Sequence, residues 1–144
     1  MRSTYRVLAS LVAVGVVIQA AAIAYAWFDV LAMVDDGGAY ADFEEDGNAG
    51  HLVHSIGGLL FPFLALVLLI VSFFARIPGG VKWAAITFGV AALQVVLAIL
   101  AFSLPAIGAL HGINALVLAG VAGRASRLAS TAPQPREASA HAAV

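Results

Sequence analysis

The chain has 144 residues, is 62% hydrophobic and only 10% charged, contains no cysteine and carries a formal net charge of −1. A soluble domain of this size needs far more charge on its surface, so the composition points to a lipid bilayer. Lack of cysteine excludes disulfides, thiolate metal sites and thiol redox chemistry, and no basic patch stands beside an aromatic platform that would suit nucleic acid.

Four segments approach or exceed the roughly 20 apolar residues that a helix needs to cross a bilayer. The first runs from about Tyr5 to Val34, and apolar helix is expected along its length. Its MRSTYR start and Ala24-Tyr25-Ala26 imitate a cleavable signal, but the apolar run from Val7 to Phe28 exceeds the usual core of one, so the span is read as retained. An acidic loop follows, DDGGAYADFEEDGNAG, which lacks the D-x-[DN]-x-[DN]-G spacing of a calcium loop and reads as a solvated cap. Trp27 and Tyr40 are expected to anchor at the interface.

The second span covers about His51 to Phe74 and opens with HSIGGLLF; Pro62 inside it is expected to mark a kink. The third covers about Trp83 to Phe102. The fourth covers about Leu104 to Gly123, with Pro105 in its first turn. The connection between them at Ser103 and Leu104 is so short that they must be antiparallel neighbours. The expected fold is therefore all-α, an integral membrane four-helix bundle over residues 1–123. The Ala/Ser/Pro-rich remainder, 124–144, is expected to be a disordered tail in which His141 is merely solvated.

All seven basic residues (Arg2, Arg6, Arg76, Lys82, Arg124, Arg127 and Arg136) fall on one side of such a bundle. Every acid except Glu137 falls on or near the other: Asp29, Asp35, Asp36, Asp42, Glu44, Glu45 and Asp46. The positive-inside rule then places both termini in the cytoplasm of a bacterium, with the protein in its plasma membrane.

The spans also resemble one another in pairs. Spans one and three carry Gln19 and Gln94 near their middles; span two opens HSIGGLLF and span four contains HGINALVL. Two hairpins of like topology imply a pseudo-twofold axis along the membrane normal. His54 lies six residues past Asn48, a helix-start residue, and His111 six past Pro105, so each is about 9 Å below the outer end of its helix. The two imidazoles are expected to face each other. Intramembrane histidines mark function by default. The small residues beside them, Gly57 and Gly58 next to His54 and Gly108 and Ala115 next to His111, would leave room for a flat macrocycle. A haem b held by His54 and His111, with Gly58, Gly108, Asn114 and His51 around it, is the leading expectation.

Other readings are open at this stage. His51 at the surface is either solvated or supports the site, and with His54 and His111 it would make a three-histidine copper or zinc site. Asn114 either orients His111 or joins helices, and Gln19 and Gln94 are expected to bond to each other. Gly108-x-x-x-Gly112 would equally serve close helix packing or a homo-oligomer. On these readings the chain is a non-redox membrane scaffold or assembly subunit, or a small metal-handling transporter. Against haem, its propionates would meet an outer rim without cations.

The pattern Gln19, His54, Gln94 and LHGINAL (Leu110 to Leu116) resembles an uncharacterised family of small four-span membrane proteins of actinobacteria, over about residues 5 to 123. More remotely, the chain resembles one four-helix half of haem A synthase, in which histidines on the second and fourth helices ligate haem. That resemblance implicates His54 and His111. His51 stands where the synthase half has an acid, so the resemblance implies haem binding, electron transfer or haem handling beside a respiratory or haem-pathway membrane partner, more than catalysis.

Overall fold

A computed structural model of the chain describes residues 1–39 and 48–131. The reading of Tyr40 as an anchor, most of the acidic loop, and the tail with His141 lie outside the described residues. Four helices make up the bundle: α1 Arg2–Asp35, α2 Ala49–Ala75, α3 Gly80–Ser103 and α4 Ile107–Thr131. No strand occurs among the described residues. All four helices are long and apolar enough to cross a bilayer, so the protein is a multi-pass membrane protein. α1, with 34 residues, extends about 50 Å and must project beyond the hydrocarbon.

The helices form a square in which α1 packs on α2 and α4, and α3 packs on the same two. α1 therefore lies diagonally opposite α3, and α2 diagonally opposite α4. Short links enforce the antiparallel order. Between α2 and α3 the chain reverses through Arg76 and Gly79, both with positive φ (52° and 73°). Between α3 and α4 it turns through Leu104 to Ala106, where successive tight bonds run from Ile107 N to Leu104 O and from Gly108 N to Pro105 O. Pro105 thus sits in the turn that leads into α4 and not in the helix itself.

Lipid supplies no hydrophobic drive between helices, so close approach of small residues must hold them together. Two buried layers do this at the basic end. One contains Tyr5, Ala9, Leu68, Ala75, Ile77, Ala84 and Ala125; the next contains Val12, Val16, Ala65, Ala91, Leu118 and Ala122. Polar ties reinforce them. The Tyr5 hydroxyl donates to Gly80 O at 2.9 Å, and Ser10 and Ser126 share a hydrogen bond of 2.8 Å between α1 and α4.

α4 continues through Arg124 to Thr131, a stretch expected to be tail. The reason is packing: Ala125 is buried, Ser126 bonds Ser10, and the Arg124 guanidinium lies 5.6 Å from the centre of the Trp83 ring.

Towards the acidic end the packing changes. α3 has no buried residue beyond Ala91, and α4 has none before Asn114. The α1–α2 pair stays tight there, because Gly50 rests directly on Ala22 O and Ala26, and a Cβ at Gly50 would collide with both. The bundle is therefore closed at its basic half and slack at its acidic half, where the histidines lie.

Candidate functional site

α2 starts where Asn48 caps it. The Asn48 side chain accepts from His51 N at 3.0 Å and donates from Nδ2 to the Asp29 carboxylate at 2.6 Å, tying the start of α2 to α1. One and a half turns further, His54 points into the bundle. His111 does the same from α4, so the pair meets across the diagonal of the square. The ring centroids are 6.4 Å apart, with planes inclined by 64°. An imidazole nitrogen binds a transition metal at about 2 Å, and the ring centre lies roughly 1 Å behind it, so two rings sharing one ion stand about 6 Å apart.

The hydrogen bonds fix which nitrogens are available. His54 Nδ1 lies 3.2 Å from Gln19 O, and His111 Nδ1 lies 3.1 Å from Gln94 O. A carbonyl only accepts, so both Nδ1 atoms carry the proton and both Nε2 atoms are acceptors in the neutral ring. Each histidine thus leans on the backbone of the glutamine in the preceding helix, in matching fashion in the two hairpins. This is the arrangement that gives a ligating imidazole its tautomer and orientation.

The match ends at the glutamine side chains. Gln19 Nε2 donates to Val53 O at 3.0 Å and turns away from the His54 ring. Gln94 Nε2 instead lies 3.0 Å from His111 Nε2 and 3.0 Å from His111 O, so one of its protons caps the imidazole and the other goes to the backbone carbonyl. Gln94 Oε1 accepts from Asn114 Nδ2 at 2.6 Å, and the same amide nitrogen donates to Val90 O at 3.0 Å. Each group in this chain has its role set by a carbonyl at its end, which leaves one consistent assignment of donors.

Three expectations are corrected here. Gln19 and Gln94 do not bond to each other, because each amide is used within its own hairpin. His51 is not part of the pair: its ring packs edge-on against Trp27 at 5.9 Å, and no group of three histidine or acidic side chains able to hold a metal occurs among the described residues. The three-histidine copper or zinc site is thus not assembled. Gly57 leaves no spare room, since the Gln19 carboxamide fills it.

A Cβ added at Gly58, Gly108 or Gly112 would meet nothing within 4 Å, so the glycine pair of α4 is not used for packing inside the chain. Asn114 proves to be both things weighed for it, a tie between α4 and α3 and, through Gln94, a brace for His111. Pro62 sits inside α2 without ending it and, lacking an N–H, leaves Gly58 O without its intrahelical donor.

A separate apolar groove of about 390 Å³ lies between α1 and α2, lined by Ile18, Ala21, Ala22, Tyr25, Gly50 and Val53 among others. It holds no histidine and has no chemistry of its own.

Comparison with family models, with curated proteins and with solved structures returned no match.

Proposed function

We propose that the protein binds haem b between α2 and α4, where His54 and His111 would hold it, and serves electron transfer or haem handling in the bacterial plasma membrane. The observation that carries this reading is the separation of the rings, 6.4 Å, together with two Nδ1–H groups anchored to backbone carbonyls, which make both Nε2 atoms acceptors, that of His111 taken up by the Gln94 amide. Haem iron would supply a one-electron redox couple, and a pair of neutral nitrogen ligands suits that use. A Cβ at Gly58 or Gly108 would meet nothing within 4 Å, and the acidic halves of α3 and α4 bury no residue, so these positions do not obstruct a guest.

The propionates would lie near the acidic rim. Asn48 is already engaged at both ends of its amide, and Asp29 is a carboxylate, so the carboxyls of the group would have to reach headgroup water. The termini are placed in the cytoplasm on the strength of the charge segregation alone. A respiratory or haem-pathway membrane protein is the natural partner for a carrier of this kind.

One observation favours a second reading. The Gln94 amide already satisfies His111 Nε2, so the pair would also serve a non-redox scaffold in which the histidines join helices. Visible spectra of the detergent-purified protein supplied with haem, oxidised and dithionite-reduced, decide between them. Haem binding gives sharp reduced bands that disappear in both His54→Ala and His111→Ala. A scaffold gives no bands in any form, and bands that survive either substitution would exclude that histidine as a ligand.

A further inference from the structure

The two hairpins place Gly57 and Asn114 in the same position, three residues after the histidine, and this single difference makes the histidines unequal. At Gly57 there is no side chain, and the Gln19 carboxamide occupies the space and donates to Val53 O. At Asn114 the side chain is present, buried, and donates to Gln94 Oε1 at 2.6 Å. Asn114 therefore pulls the oxygen of Gln94 towards itself and turns its NH2 onto His111 Nε2.

We infer that Gln94 is a gate on His111, latched by Asn114, and that His54 is the standing ligand of the pair while His111 is a reserve ligand exposed only when the Gln94 amide swings aside. The inference deepens the reading of the pair as a ligand site. Among the described residues His54 Nε2 has no hydrogen-bond partner, so it offers its lone pair without rearrangement while the Nδ1 bond to Gln19 O stays intact. His111 also keeps its Nδ1 bond to Gln94 O, but its Nε2 must first lose the Gln94 N–H. Opening also breaks the second bond of that NH2, to His111 O, and strains the tie to Asn114. Gln94 and Asn114 are thus positioning residues: they decide when the second imidazole becomes available and touch no ligand of the first.

The gate can be read without any cofactor. Diethyl pyrocarbonate acylates an imidazole nitrogen that presents a lone pair, and mass spectrometry of the detergent-purified, haem-free protein locates the adduct. His54 should be labelled about tenfold faster than His111, since exposing His111 Nε2 breaks one hydrogen bond to the ring and one to His111 O, each of ordinary strength. Gln94→Leu should bring His111 up to the rate of His54, and Asn114→Ala should move it part of the way, with His54 unchanged in both. Should either variant fail to fold, the wild-type ratio and the nitrogen-15 shift of His111 Nε2, expected in the range of a hydrogen-bonded acceptor, carry the test. Equal labelling in the wild type, or a His111 rate indifferent to Gln94→Leu, would overturn the gate. Failure of the wild type to take up haem while the labelling asymmetry persists would sink the haem reading alone.

Discussion

Gly57 and Gly58 are neighbours on one helix with opposite surroundings. A side chain at Gly57 must displace the Gln19 amide from Val53 O, whereas one at Gly58 enters open space. Gly57→Leu should therefore lower the thermal stability of the detergent-solubilised protein by about 1–3 kcal/mol, the usual cost of overpacking. Gly58→Leu and Gly108→Leu should stay within about 0.5 kcal/mol of the wild type, as substitutions that touch nothing do. If the pair holds haem, those two variants should nevertheless retain less of it, because the space they fill is the space the macrocycle needs. Melting curves and the haem absorbance of the same three preparations test this. A destabilised Gly58→Leu would show that the space beside it is not free.

Among the elements, the link between α2 and α3 is the strained one. Arg76 ends α2 in the left-handed region (φ 52°, ψ 44°), where a side chain costs about 1–2 kcal/mol and glycine costs little. Its carbonyl accepts from Arg2 Nη2 at 3.1 Å, a bond that depends on the backbone and would survive loss of the Arg76 side chain. Arg76→Gly should then raise stability by about 1 kcal/mol, measurable as an upward shift of the melting midpoint in detergent. No gain would mean that the Arg76 side chain contributes more at the basic surface than the strain costs. α1 belongs to this scale as well. Its buried residues Tyr5, Ala9, Val12 and Val16 follow the spacing of one helical face and enter both core layers, so it is an integral wall of the bundle.

For the whole molecule, the question is which end faces the cytoplasm. The chain has no cysteine of its own, so single cysteines report without background. With both termini inside, Ala39→Cys should react with a membrane-impermeant maleimide on intact cells, and Ser130→Cys only after permeabilisation. The reverse pattern would invert the topology and place the histidine pair near the cytoplasmic surface. The slack acidic half and the closed basic half also belong here. The core layers of the basic half take alanines from all four helices, whereas at the acidic end only α1 and α2 pack closely.

The four helices, their antiparallel order and the segregation of charge were all legible in the residue string, because span length, apolar composition and the Lys/Arg count are local properties that a bilayer forces on any chain. That His54 and His111 approach one another was legible too, although α4 starts at Ile107 and not at Pro105, from which the depth of His111 is counted in the sequence. Where α4 ends was not: Ala125, Ser126 and Arg124 are held by Ser10 and Trp83, which lie on other helices. Nor was the fate of the polar side chains. Gln19 and Gln94 look alike in sequence, yet the Gln19 amide goes to Val53 O, in the space that Gly57 leaves, while Asn114 holds Gln94 Oε1 and turns that amide onto His111. His51 likewise left the pair for Trp27 because its place on the turn of α2 aims it at α1. A hydrogen bond between helices depends on which faces are turned together, and that is set by the packing of all four, not by any one of them.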